Sequence, residues 1–561
     1  MKNNQIADTI SAFSSLLYLS GYDDDLSGIL FSASGFLRTL SEDLTDMYQR
    51  NRLSTLSDIP EQAVESVKEL LRTGSIAKLD ELKAVIPVSA AELFLIPGIE
   101  RSIIRDIYLK TDIRDVDSLF MALKHKELSS GSMLTLRQEA GLREVIEVFR
   151  IEQKQRTIDS AVATAAELIA YMKNSPDVIN CVPAGDLVRG KDVFDTVILV
   201  VSSLSCNKVI DFFANASYIY EHHKSSSNEC SAVAKSGMNV RLAVVPPERF
   251  SGAVFHFTGS EVFLDELYSK YHINCDEFGP EGNIESDKEI FKSHSIQYID
   301  PVLREGRGEI ELAARNAIPE LIKREDIKGD FHVHSIYSDG KNSISLLAHR
   351  AIEMGYSYIG IADHSASLDV ANGLKGVKLK EKIRKIRQLN KELNGFKILC
   401  ATEADILPDG SVDYTDKERK SFDYVIGSVH VALNMSRCQM TERIIKAVES
   451  GKINILGHPT GRLFGVRRSL ELDIDEIMEA CAANNVAMEI SGYVRRLDLN
   501  DSNIIKAKKK GVRFAIGTDA HYVDNMESVE YAVLQAQRAM LTRFDVINTM
   551  TLDDLYGFFK K

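Results

Sequence analysis

The feature that most constrains this chain lies in its last third. Seven short apolar runs, at 331–333, 358–361, 397–402, 424–428, 453–457, 487–490 and 513–518, alternate with helical stretches such as 344–354 and 379–393. Seven strand–helix units in succession argue for a closed parallel barrel, with functional side chains at the C-terminal strand ends. Each ligand-type residue here falls just after one of these runs. The first run reads Asp330-Phe331-His332-Val333-His334 and is expected to continue as a strand to Ile336, with Asp339 in the turn beyond. Side chains alternate along a strand, so His332 and His334 point to one side. His364, Glu403, His430 and His458 follow, and then Asp519 with His521. A single histidine such as His349, on a helix face, is best read as a surface imidazole. Nine ligand-type residues in order at successive strand ends are not explained that way.

With 561 residues, 44% of them hydrophobic and 27% charged, the chain is globular and long enough for three or four domains. A net charge of -13 argues against a surface built throughout for nucleic acid, although it leaves room for a local basic channel. The seven cysteines are scattered without a Cys-x-x-Cys pair, which excludes a zinc ribbon or disulfide framework and suits a reducing compartment. The start is polar, and no apolar run is long enough to span a bilayer. The expected location is cytoplasmic, without membrane contact.

Residues 1–155 show helical periodicity, as at Ile6, Ile10, Phe13, Leu16 and Leu17. Two stretches, Leu56-Ser57-Asp58-Ile59-Pro60 and Leu95-Ile96-Pro97-Gly98-Ile99, lead into helices and resemble helix-hairpin-helix hairpins. In that motif glycines let backbone N–H groups approach a DNA phosphate. Here three of the four glycines are missing, Glu61 and Glu100 stand where a phosphate would lie, and residues 1–150 carry a net charge of about -6. The expectation is a weak DNA grip, the alternative being a helical domain that keeps only the hairpin shape.

Residues 156–320 open with a helix at 161–172 and strands at 177–182 and 196–201. Between the strands runs Gly185-Asp186-Leu187-Val188-Arg189-Gly190-Lys191-Asp192. Together with Val244-Val245-Pro246-Pro247-Glu248, Phe257-Thr258-Gly259-Ser260 and Leu303-Arg304-Glu305-Gly306-Arg307-Gly308-Glu309, this resembles the bacterial and archaeal family X DNA polymerases. The resemblance implies a polymerase-beta-like palm and thumb, a nucleotide-binding turn in which Arg189 meets phosphate, and three aspartates holding two ions for nucleotidyl transfer. Asp195 alone is available for the first two aspartates, Arg241 stands at the third, and Asp186 replaces a serine that would face the triphosphate. Polymerase activity is therefore expected to be lost. The lysine of lyase chemistry aligns near Ser66, with Lys68 a weak substitute.

Residues 326–561 resemble the polymerase and histidinol phosphatase (PHP) domain. That resemblance implies up to three divalent ions: one at His332, His334, Glu403 and Asp519, a second at Glu403, His430 and His458, and a third at Asp339, His364 and His521. Imidazole and carboxylate without thiolate suit manganese, zinc or iron, with manganese the first expectation. The implied chemistry is phosphoester hydrolysis by activated water, with Glu403 bridging ions, Asp519 beside it and Arg462 near the substrate phosphate. Arg467 and Arg468 are further substrate-binding candidates, a solvated loop being their alternative. Glu489 and Arg495-Arg496 sit where the pocket rim would be.

The expected architecture is multidomain α+β and α/β: a helical helix-hairpin-helix region at 1–155, a palm and thumb at 156–320, and a distorted (βα)7 PHP barrel at 326–561. The expected function is a 3'-5' exonuclease in DNA repair, with DNA as partner and protein partners open. The alternatives are a small-molecule monoesterase of the histidinol phosphatase type and a non-catalytic DNA-binding scaffold.

Overall fold

The computed structural model describes residues 3–560 except 40–43, 51, 54–55, 57–58, 97–98, 132, 137, 144, 147–155, 225, 274–285, 369–370 and 466. It divides into two compact units, Met1–Lys154 and Gln155–Lys561.

The first unit is helical. Ile6, Ile10, Phe13 and Leu17 recur every three or four residues on helix Asn3–Ser20, so they form one buried stripe, against which helix Asp24–Thr39 packs. Helix Glu61–Thr73 starts after Pro60 and stops at Gly74, whose φ of 80° is the left-handed conformation that glycine adopts without cost. The helix after the second hairpin, Arg101–Lys110, begins beyond Glu100. Ser57 and Asp58 of the first hairpin and Pro97 and Gly98 of the second lie outside the described residues. Arg101 turns inward and donates to Ser14 Oγ at 3.1 Å and Ser27 Oγ at 2.8 Å, its guanidinium lying over Tyr18 and Phe31. Lys68 is paired with Glu65 at 2.6 Å.

The second unit opens with a five-stranded sheet in the order Asn180–Ala184, Thr196–Ser202, Asn239–Val245, Glu229–Ala234, Ile219–Lys224. The second and third of these strands are parallel and the remaining pairs antiparallel. Helices Ile158–Met172 and Cys206–Ala214 contribute Leu168, Met172, Ile210 and Phe213 to the core beside it. The strand expected at 177–182 starts later, because Val178 N–H is used in a turn to Ser175 O. Helices Phe250–Thr258, Glu261–Tyr271, Asp287–Ser293 and Glu309–Ala314 follow.

Seven parallel strands then form a nearly closed barrel: Gly329–Val333, Tyr358–Ile361, Lys397–Asp405, Tyr424–Ser428, Ile455–Leu456, Ala487–Ser491 and Phe514–Gly517, paired in chain order. A parallel bridge from Val333 to Ala520 joins the last to the first. Phe331, Tyr358, Leu399, Tyr424, Ile426, Ile455 and Ala515 fill an inner apolar cluster, closed by Phe559 of the C-terminal helix Leu552–Phe559, which stacks on Tyr424 at 4.9 Å. Packing below leaves the C-terminal strand ends for polar groups. The first strand stops at Val333 rather than Ile336: the Ser335 N–H goes to Asp363 Oδ1 at 2.7 Å and the Ile336 N–H to Asn342 O at 3.1 Å. The fifth is shorter than 453–457; His458 leaves it with a φ of 25°.

Within this second unit the five-stranded sheet region, expected as the palm, and the barrel are tied together. Arg538 meets Glu305 at 2.9 Å and Asp501 at 2.6 Å, and donates to Arg189 O at 2.5 Å. Gln535 donates to Gly190 O at 2.9 Å, and Leu497 is buried in the core of the palm with Phe464, Val494 and Leu534 against it. No helix among the described residues is long and apolar enough to cross a membrane.

Candidate metal centre

The nine ligand-type residues of the barrel converge at the C-terminal strand ends. Glu403, on the third strand, is at the middle. Its Oε2 lies 3.3 Å from His332 Nε2, 3.5 Å from His334 Nε2 and 3.0 Å from His364 Nδ1; its Oε1 lies 3.2 Å from His430 Nε2 and 2.9 Å from His458 Nε2. Asp519 Oδ1 approaches His334 Nε2 at 3.2 Å and His332 Nε2 at 3.7 Å. Asp339 Oδ2 faces His521 Nε2 at 3.1 Å and His364 Nε2 at 3.6 Å. Three groups have ligand atoms within 4.8 Å of one another among the described residues: His334, Asp339, His364 and His521; His332, His334 and Asp519; His364, Glu403 and His430. His334 and His364 thus each belong to two groups, where the sequence assigned each to one. His349 stands apart, exposed on helix Ile344–Glu353, with Nδ1 at Ser345 O.

A further ring of carboxylates orients these imidazoles. Glu489, buried on the sixth strand, approaches His332 Nδ1 at 2.6 Å and accepts the His458 N–H at 2.6 Å. Any side chain at Gly517 would strike that carboxylate and the Cβ of His332, so glycine is required there. Asp405 meets His430 Nδ1 at 3.1 Å and accepts its N–H at 3.0 Å. Asp330 accepts the N–H groups of His332 and Thr518. Carboxylate to imidazole is the usual way to fix ring orientation behind a metal ligand. Sequence reasoning left Glu489 at the rim and missed Asp405, although Asp405 stands two residues past Glu403 on one strand and so shares its face.

Burial opposes charge throughout the cluster, and neighbours decide the outcome. His332 is pushed well above the imidazole range because Glu489, Glu403 and Asp519 outweigh burial. Glu403 is held well below the carboxylate range, burial being overcome by His430, His332 and His364. His334, buried and facing His521 and His364, drops to about 4, and His458, buried near Arg496, also drops to about 4. Six atoms of the cluster, His332 Nε2, both ring nitrogens of His334, His364 Nδ1, His458 Nδ1 and Glu403 Oε2, are shielded from solvent without a hydrogen-bond partner. Each such unmet group costs about 1–3 kcal/mol. These N and O donors suit bound metal ions, and the clusters could hold several.

The arginines expected at substrate are mostly committed elsewhere. Arg462 donates from Nε to Arg496 O at 2.6 Å, donates to Leu497 O, and pairs through NH1 with Asp192 of the palm at 2.8 Å. It holds a loop rather than facing phosphate. Arg467 donates from Nε to Gly461 O at 2.8 Å, and Arg468 is exposed on the same loop. Arg496 reaches the centre instead, its Nε 3.3 Å from Asp519 Oδ2. Arg189, expected at phosphate, is buried, with Nε at Glu305 Oε1 (3.0 Å), NH1 at Thr258 O (2.7 Å) and NH2 at Asp186. In the palm, Arg241 lies in register with Ile198 and pairs with Glu229 at 3.0 Å, while Asp195 is exposed.

The PHP domain family model matches residues 330–492. The DNA polymerase/3'-5' exonuclease PolX of Bacillus subtilis is 28% identical over 546 residues, covering 95% of each chain. A probable phosphatase of Caldicellulosiruptor bescii is 30% identical over 201 residues, 34% of this chain and 78% of that protein. A probable phosphatase of Thermoanaerobacter sp. is 27% identical over 231 residues, 39% of this chain and 89% of that protein. The chain is thus similar to a PolX protein along nearly its whole length, and it carries a PHP domain in its last third.

Proposed function

We propose that this chain is a metal-dependent phosphoesterase whose barrel shortens DNA from the 3' end, and whose palm no longer polymerises. The observation that carries the reading is the convergence of nine ligand-type side chains with six buried, unmet N and O atoms at one barrel end. At the aspartate positions the five-stranded sheet offers only Asp195, exposed just before strand Thr196–Ser202, while Arg241 stands at the third and pairs with Glu229. The name of the Bacillus subtilis relative supports DNA as substrate, and a cytoplasmic setting suits that substrate. The functional regions are read as 1–155, 156–320 and 326–561.

Bound divalent ions would activate water and offset charge on the phosphoryl group. The residues to hold them are His332, His334, Asp339, His364, Glu403, His430, His458, Asp519 and His521, with manganese the first choice. The chain's own contribution is orientation. Glu489 accepts a hydrogen bond from the Nδ1–H of His332, which would leave Nε2, facing Glu403 and Asp519, to hold an ion. Asp405 does the same for His430, whose Nε2 faces Glu403. The two oxygens of Glu403 serve different imidazoles, so that this one carboxylate can bridge two positions. Arg496 lies against the outer oxygen of Asp519 and keeps positive charge at the edge of the centre. Arg462 acts one step removed, through the backbone of Arg496 and Leu497; Arg467 and Arg468 are the substrate contacts of the rim.

A second reading, a small-molecule phosphate monoesterase, is favoured by the acidic first region and by the phosphatase relatives of the barrel. The test is one preparation assayed with manganese on end-labelled DNA and on a chromogenic monoester. DNA shortening that disappears in His332→Ala/His334→Ala supports the first reading. Monoester turnover without DNA cleavage would transfer the assignment to the second.

A further inference from the structure

Helix Gly376–Glu392 packs on the barrel with Leu379, Lys382, Ile386 and Leu389 buried. Three of these four positions carry the apolar residues such a face requires, and the fourth is a lysine with no exposed surface. A buried ammonium is costly unless fully paired, and an apolar residue of similar volume is commonly no worse for stability. Here it is fully paired: Nζ lies 3.0 Å from Asp363 Oδ2 and donates to Ile361 O at 3.0 Å and Ala401 O at 2.8 Å. These partners belong to the second and third barrel strands and the residue just before His364.

Asp363 in turn gathers the segment that follows the first strand. Its Oδ1 accepts from Ser335 N at 2.7 Å, Ser335 Oγ at 3.0 Å and Ser338 Oγ at 2.8 Å, and its Oδ2 from Ser335 Oγ at 2.9 Å. Its backbone oxygen accepts from Thr402 Oγ1 at 3.1 Å and from Glu403 N at 3.2 Å. The turn so anchored delivers Asp339, and Asp363 itself precedes His364. One carboxylate therefore fixes two members of the group formed by His334, Asp339, His364 and His521.

We propose that Lys382, acting through Asp363, is a positioning residue for that one metal position. The inference rests on the reading of the cluster as a metal centre. Lys382 neither touches a ligand nor lies in the pocket; it makes the charge of Asp363 tolerable in the interior, and Asp363 sets the turn. His334 and His364 are shared with the groups of His332 with Asp519 and of Glu403 with His430, but Asp339, which the turn delivers, belongs to this group alone, so the effect is largest there.

The experiment is titration of manganese into metal-free protein, with stoichiometry and affinity read by calorimetry and by the paramagnetic signal of unbound manganese. In Lys382→Met, affinity at one class of position is expected to fall about 10- to 100-fold, the range for residues that support metal ligands, with a smaller fall at the other classes. Ser335→Ala/Ser338→Ala leaves the Lys382–Asp363 pair intact and guards against loss of fold in the lysine variant; it is expected to weaken the same position. Unchanged stoichiometry and affinity in the serine variant, or a uniform loss at every position in a folded Lys382→Met protein, would overturn the inference. Failure of the unaltered protein to bind manganese at all would instead overturn the metal-centre reading beneath it.

Discussion

Glu489 sits inside the fully buried strand Ala487–Ser491, where an uncompensated carboxylate would be costly. Its two oxygens serve His332 Nδ1 and the His458 N–H, which makes it the hinge between two ligand-type residues. Glu489→Gln keeps the volume and can still accept one hydrogen bond, but it removes the charge that holds the His332 ring. The expected outcome is a roughly 10- to 100-fold fall in metal affinity or turnover with little change in thermal midpoint, measured by manganese titration and DNA shortening. The ligand-type residues were legible because a histidine or carboxylate interrupting an apolar run is conspicuous in a chain. Glu489, Asp405 and Asp363 were harder to read. Each interrupts a run as well, but only distances distinguish a carboxylate that faces the centre from one that faces an imidazole. The arginines were least legible: Arg189, Arg462 and Arg496 look alike in sequence, and which meets Glu305, Asp192 or Asp519 depends on loops far apart in the chain.

The barrel strands could be located from apolar runs alone, since strands buried on both faces read continuously. Their ends shifted where a side chain captured a backbone group, as Asp363 does at Ser335. The joints between elements carry charge too. Asp501, at the start of helix Asp501–Lys509, meets Arg538 of helix Val529–Arg538 and Arg307 of the loop before Glu309–Ala314. Burial opposes its ionisation, yet Arg538 and Arg307 win and lower its pKa to about 2. A carboxylate depressed in the folded state contributes stability above its unfolded pKa and loses it as pH falls through the folded value. The contribution of Asp501 is thus complete above about pH 4 and is gone below about 2. Asp501→Asn is expected to cost at least about 2 kcal/mol at neutral pH, with the difference from the parent shrinking through that acid window in denaturant titrations. A constant difference from neutral pH down to the lowest pH would contradict this account.

At the scale of the whole molecule, the barrel was legible because ligand-type residues follow its apolar runs one after another. The union of palm and barrel was not. Gln535 reaches Gly190 across 345 residues, and Arg462 reaches Asp192 from a loop of the metal centre. The turn at 185–192, which in a polymerase faces nucleotide, here spends Arg189 O, Gly190 O and Asp192 on the barrel. The same surface is then a joint. The central claim is that hydrolysis at the barrel, not synthesis at the palm, is this chain's chemistry. The most direct measurement is one reaction of the protein with manganese, primer–template DNA and all four deoxynucleoside triphosphates, resolved by primer length. The account predicts primers that only shorten, and that stay intact with His332→Ala/His334→Ala; primers that lengthen, or that shorten equally with that variant, would contradict it.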